Sequence, residues 1–157
     1  MEPLLHIALY HPEIPPNTGN IGRLCLGIQA ALHVVHPIGF AMDEKQVRRA
    51  GLDYWKSVQL VEHATEDAFW QWAEGRRVHL FSTKAKRSLH ACPFERGDVL
   101  LFGCETKGLP EELIAEKGAW TIPMTGEIRS LNLSNAAAVA AYAALHRIRP
   151  SWYETPE

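Results

Sequence analysis

The chain has 157 residues, 46% of them hydrophobic and 22% charged, which gives residues 1–157 material for one domain with a single core and no need of disulfide or metal support. These proportions sit near globular averages and suggest no disorder, and no uninterrupted apolar run approaches the roughly 18 residues of a membrane span. A net charge of -2 excludes a long-range positive field, so any contact with a polyanion has to be local.

In chain order, the apolar run Leu4 to Tyr10 predicts a buried strand, stopped by His11-Pro12 and by the Pro15-Pro16 pair. From Thr18 onward, Ile21, Leu24, Cys25, Ile28 and Leu32 recur at the spacing of one helical face, with Thr18 or Asn17 as cap. Leu32 to Val35 is a short strand ended by Pro37 and Gly39, and Asp43 opens a charged helix that stops at Gly51. Ser57 to Val61 predicts the next strand, and Thr65 caps a helix bearing Phe69 and Trp72 that Gly75 ends. Val78 to Phe81 and Val99 to Phe102 read as buried strands, and Pro110 sits where a helix accepts proline, in its first turn. Ala119 to Ile122 is a last strand, followed by an Ala-rich helix from about Asn135 to Arg147. Strands alternating with helices make this an α/β domain whose mainly parallel sheet is flanked by helices.

Cys25, Cys92 and Cys104 are odd in number and match no zinc or redox spacing, which fits a reducing compartment. The start MEPLLHIALYHPEIPP lacks a basic region before its apolar run, so neither export nor membrane insertion is expected and the location is read as cytoplasmic. His33 and His36 straddle a strand and the other six histidines are scattered, so no metal site is expected and the histidines are taken as structural or surface groups. Basic residues gather at Lys45, Arg48 and Arg49 and at Lys84, Lys86 and Arg87, as phosphate patches or as solvated faces.

Parallel α/β sheets bind ligands at the carboxyl ends of their strands, and three such loops carry unusual residues. Asn17 to Arg23, N-T-G-N-I-G-R, offers backbone N–H groups and an arginine to an anion, or is a helix cap with a surface arginine. In Phe102 to Pro110, F-G-C-E-T-K-G-L-P, Gly103 and Gly108 let backbone approach a ligand, and Glu105 serves that ligand or the helix entry. Ile122 to Met124 with Ser130 to Asn135, I-P-M and S-L-N-L-S-N, holds two serines and two asparagines, as a site or as redundant caps. No G-x-G-x-x-G follows the first strand, which argues against an ordinary Rossmann dinucleotide or methyltransferase site, and no P-loop lysine motif appears.

Taken in order, L-Y-H-P-E-I-P-P-N-T-G-N-I-G-R, R-R-A-G-L-D-Y, F-G-C-E-T-K-G-L-P and I-P-M through S-L-N-L-S-N resemble the motifs of the SPOUT RNA methyltransferases. The likeness runs from about Leu5 to Arg147 and is nearest to the small single-domain branch that methylates the wobble ribose of transfer RNA. It implies a C-terminal deep trefoil knot, a topology that chain-connection rules alone would not predict. It implies S-adenosyl-L-methionine as cofactor, held by Phe81, Thr83, Gly103, Gly108, Ile122, Met124, Ser130, Leu131 and Leu133. Asn17, Arg23, Glu105, Ser130 and Asn132 match the polar residues of the methyl-transfer site.

A guanidinium is a poor proton acceptor, so Arg23 is expected to grip the phosphate beside the target ribose and orient its hydroxyl. The proton then passes to a phosphate oxygen, a water or a transiently neutral arginine. The resemblance also implies a homodimer through the C-terminal helix near Tyr142, with the dimer surface, Lys84, Lys86, Arg87 and the residues around Arg48 holding tRNA. Two alternatives stand beside this reading: a relative acting on another tRNA or rRNA nucleotide, and a noncatalytic α/β module that binds a nucleotide or RNA.

Overall fold

Alternation along the strands sorts the core onto two faces of one sheet. The computed structural model describes residues 2–151, with the side chains of 49–53 outside the described set, so Arg49 of the first basic cluster lies outside the described residues. Strands β1 (Leu5–Tyr10), β2 (Ala30–Val35), β3 (Leu60–His63), β4 (Val78–Phe81), β5 (Arg87–Ser88), β6 (Val99–Phe102) and β7 (Trp120–Thr121) form one sheet in the order β3-β2-β1-β6-β4-β7-β5. Every pairing within it is parallel.

Leu5, Ile7 and Leu9 of β1 with Leu100 and Phe102 of β6 face one layer, built from α1 (Pro15–Gly27) and α5 (Leu133–Ile148). There Ala137, Ala140, Ala141 and Ala144 present a small-residue stripe that lets α5 lie close to the sheet. Ala8 of β1 with Val99 and Leu101 of β6 face the other layer, which holds Phe69 of α3 (Glu66–Trp72) and Leu113 of α4 (Glu111–Lys117). Burial on both faces is why these strands read as continuous apolar runs.

The first helix begins earlier than the sequence suggests. Pro15 and Pro16 are its first turn, and Asn17 and Thr18 are buried inside it instead of capping it. Proline is tolerated there because the first-turn N–H groups have no intrahelical acceptor. Leu32, placed by periodicity on that helix as well as on the next strand, belongs to β2. The charged helix α2 (Lys45–Gly51) runs into a 3-10 turn, Leu52–Ser57, which pushes β3 three residues past its expected start. Thr65 caps α3 by accepting a hydrogen bond from Ala68 N–H at 3.0 Å, and α5, capped by Asn132, starts two residues before the expected helix. The two-residue β5 carries no apolar alternation and was not foreseen.

Register brings three histidines into a row across the second face. His6 Nδ1 lies 2.9 Å from His33 Nε2, and His33 Nδ1 lies 3.0 Å from His63 Nε2, with Trp72 of α3 packed over all three rings. Burial, reinforced by the nearby Arg76 cation, lowers His6 to about 4, and burial with the neighbouring His6 lowers His33 to about 3. Burial lowers His63 as well. The row is thus a set of neutral imidazoles exchanging hydrogen bonds, and among the described residues no group of His, Cys, Asp or Glu is arranged to hold a metal.

Asp98, buried just before β6, accepts from His79 Nε2 at 2.7 Å, Arg77 Nε at 3.0 Å and Glu95 N–H at 2.8 Å. Burial opposes its charge, but these bonds prevail and hold its carboxyl below the usual value. The starts of β4 and β6 are pinned together by this carboxylate, which fixes where their far ends deliver their loops.

Candidate functional site

The loops that follow β4, β6 and β7 enclose a cavity of about 470 Å³ at the carboxyl edge of the sheet. Its wall carries Phe81 and Thr83 from the β4 loop, Gly103, Glu105 and Gly108 from the β6 loop, and Ile122, Met124, Ser130, Leu131, Asn132 and Leu133 from the segment between β7 and α5. All nine residues expected at a cofactor lie on this one wall, together with Glu105 and Asn132. The size falls within the range of small-molecule sites.

The lining mixes apolar and polar groups. Phe81 and Phe102 stack at 5.0 Å between ring centres, and Ile122, Leu131, Leu133 and Ala136 continue the surface. Backbone supplies much of the rest, because the β6 loop folds back on itself: Gly108 N–H donates to Cys104 O at 3.0 Å. A Cβ on Gly103 would stand 2.1 Å from the Gly108 carbonyl carbon and 2.2 Å from Leu109 N, so only glycine permits this crossing. Gly108 has φ of +67°, the left-handed region that glycine enters without penalty.

Glu105 does not point as a free base into the cavity. Its carboxylate accepts from Glu13 N–H at 3.0 Å and from Ile14 N–H, the two amides that open α1. In return the Glu13 carboxylate accepts from Thr106 N–H at 3.1 Å and from Thr106 Oγ1 at 2.7 Å. These Thr106 bonds hold the Glu13 carboxyl below its ordinary value. The cap that α1 lacks locally is therefore provided from 91 residues away, by the loop that walls the cavity. Glu13 and Thr106 escaped the sequence reading; an acidic residue directly before Ile14-Pro15-Pro16 was the available signal.

Asn17 is buried on α1, and its Oδ1 accepts from Asn132 Nδ2 at 3.1 Å, so the first and third loops meet through two amides. Asn132 Oδ1 also accepts from Ser134 N–H at 2.9 Å and caps α5. Replacing Asn132 with alanine should remove both roles at once. Urea denaturation is expected to show a loss of about 1 kcal/mol from the cap alone, with unchanged stability contradicting the assignment.

Arg23 is not on the cavity wall. It follows Asn17 by six residues, which at about 100° per residue turns it roughly 120° away around α1. Its guanidinium is exposed and lies 5.4 Å from the centre of the Tyr54 ring. Of the basic residues, Lys84 pairs with Glu111 at 2.7 Å and Arg87 lies over the Trp120 ring at 4.0 Å, while Lys86, Lys45 and Arg48 are exposed.

Comparison with known proteins places this architecture. A protein of Saccharophagus degradans named tRNA (cytidine(34)-2'-O)-methyltransferase is 44% identical over 148 residues, covering 92% of this chain and 96% of that protein. A solved structure described as "Structural insights into the 2-OH methylation of C/U34 on tRNA" superposes with a TM-score of 0.88 at 45% identity, covering 91% of this chain and 95% of that one. The AdoMet-bound rRNA methyltransferase from Sinorhizobium meliloti superposes with a TM-score of 0.83 at 25% identity, over 93% of this chain and 57% of that one. The model of the SpoU rRNA Methylase family matches residues 4–142, from the edge of β1 well into α5. With the three strand-end loops all inside that span, the chain belongs to the SpoU rRNA methylase family.

Proposed function

We propose that residues 1–157 act as one catalytic unit that methylates the ribose 2′-hydroxyl of nucleotide 34, a cytidine or modified uridine, in transfer RNA; the Saccharophagus degradans relative is named for cytidine 34 and the similar solved structure is described for C/U34. The observation that carries this reading is the convergence of three loops, separated in sequence, on one cavity that also touches the start of α1 through the Asn17–Asn132 bond. When bound there, S-adenosylmethionine supplies a sulfonium-activated methyl group. The cavity suits it: aromatic and aliphatic side chains match an adenine face, strand-end amides and carbonyls satisfy its edges, and Lys107 and Arg129 add charged groups to the lining.

The protein's own residues do the rest by placement. Ser130 and Asn132 stand at the polar rim of the cavity, where they position the acceptor hydroxyl, and Glu105 holds the α1 entry in register with the cofactor loop. Alignment of donor and acceptor supplies up to roughly 7–11 kcal/mol of a bimolecular barrier. The Ser130–Leu133 turn lies against the loops after β4 and β6, which supports the threaded C-terminal path that the family resemblance implies.

Arg23 serves the cavity of a second copy, since in its own chain it projects elsewhere. The homodimer assigned here forms through α5, where Val139 and Tyr142 are 42% and 48% exposed on a helix whose other side is packed. Lys86, Lys45 and Arg48, all exposed, offer positive charge to the RNA beside the dimer. The cytoplasm, where transfer RNA is met, is the proposed location; among the described residues no helix is long and apolar enough to cross a membrane.

Purified protein, labelled S-adenosylmethionine and unmodified transfer RNA provide the test. Methylation should map to the ribose of nucleotide 34, as named for the relative. Methylation mapped to another nucleotide overturns the substrate assignment, and no binding of S-adenosylhomocysteine in calorimetry overturns the enzymatic reading. Arg23→Ala should lower turnover on the order of 100-fold, the scale of a lost transition-state contact, while leaving S-adenosylhomocysteine affinity within a few-fold.

A further inference from the structure

Tyr54, which closes the segment R-R-A-G-L-D-Y, is not among the described residues that line the cavity, yet its ring lies against the residue on which turnover is proposed to depend. Tyr54 is 48% exposed, a large apolar surface that packing alone does not explain. Its neighbour Trp55 explains how it is held. A Cβ on Gly22 would stand 2.7 Å from Trp55 Cζ3 and 3.4 Å from Val58 Cγ2, so the indole sits in a notch on α1 that exists because residue 22 has no side chain. The turn is closed behind it by Val58 N–H donating to Trp55 O at 3.2 Å. Trp55 and Gly22 thereby fix Tyr54 beside the residue following Gly22, which is Arg23.

We propose that Tyr54 is a positioning residue for Arg23, holding the guanidinium over its ring at the angle from which it meets the RNA phosphate. The chemistry favours an aromatic partner over an acidic one. A carboxylate would occupy the N–H fork and compete with phosphate, whereas a ring attracts the cation through its face and leaves all five donors available. Among the described residues no carboxylate pairs with Arg23. The long arginine side chain would otherwise sample many rotamers at this exposed site.

This inference rests on the methyltransfer reading above, and its test separates the two. Tyr54→Ala should lower kcat about two- to fivefold, the scale of an exposed cation–ring contact, with KM for transfer RNA and affinity for S-adenosylhomocysteine unchanged, and Tyr54→Phe should restore the rate. In an Arg23→Gln background, read in single turnover, Tyr54→Ala should cost nothing further. In NMR spectra of the full chain the Arg23 side-chain N–H resonance should be shifted upfield by the ring and return on Tyr54→Ala. An equal loss in both backgrounds, a Tyr54→Phe variant as slow as Tyr54→Ala, or a raised KM for RNA at unchanged kcat overturns the proposal. So does a loss accompanied by a changed melting temperature or oligomeric state. If the unaltered chain methylates nothing, the functional reading falls and this pairing with it; if only the Tyr54 variants behave as wild type, the pairing alone falls.

Discussion

Gly103→Ala should abolish methylation and weaken S-adenosylhomocysteine binding by on the order of 100-fold or more, because the added methyl has no space that a side chain can vacate. The three nearest atoms, the Gly108 carbonyl carbon at 2.1 Å, Leu109 N at 2.2 Å and Gly108 Cα at 2.5 Å, are all backbone. Relief therefore requires the 104–109 loop to move as a whole, and that loop is the wall of the cavity. Isothermal calorimetry and a thermal melt on the same sample would read both consequences, with the melting temperature also falling. Gly126→Ala is the matched control, since a Cβ there meets nothing within 4 Å. A Gly103→Ala protein that binds like the wild type would refute the close crossing.

Acidification is expected to produce the other large effect. His6 and His33 are held neutral at about 4 and about 3, against an ordinary value of 6.5, and burial is the main cause for both. Their folded values are depressed, so the unfolded chain takes up protons first as the pH drops. The stabilisation is complete above pH 6.5 and disappears as the pH falls from there toward 4. Between pH 7 and pH 5 the coupled pair should lose on the order of a few kcal/mol of this contribution. Urea denaturation at pH 7, 6 and 5 would show the midpoint retreating steeply. A stability flat from pH 7 to pH 5 would rule out a neutral buried row.

Most of this architecture is written locally in the chain. Val78 to Phe81 and Val99 to Phe102 are short apolar runs between polar breaks, and the strands occupy those residues. Once they are strands of a parallel sheet, their carboxyl ends mark where a ligand goes, and the residues assigned to the cofactor do lie together on one wall. What could not be read depends on distant partners. The start of α1 was misplaced because its cap comes from Glu105 and not from Asn17 or Thr18. The histidine row is invisible in sequence, since separations of 27 and 30 residues become contacts only through the register of β1, β2 and β3. The placement of Arg23 off the wall was equally hidden, because a motif gives proximity in sequence and not the side of the helix on which a residue emerges.

The paired Glu13 and Glu105 carboxylates carry a consequence for how this scaffold can diverge. Each reaches across to the main chain of the other's loop, so neither segment can be exchanged with that of a cousin while the first is left behind. A graft of residues 104–107 alone would leave Glu13 without its donors on Thr106 and the Ile14 N–H without its acceptor on Glu105. Transplanted together with residues 12–14, the same graft keeps both latches shut. The heritable unit at this end of the molecule is a pair of remote strips of chain.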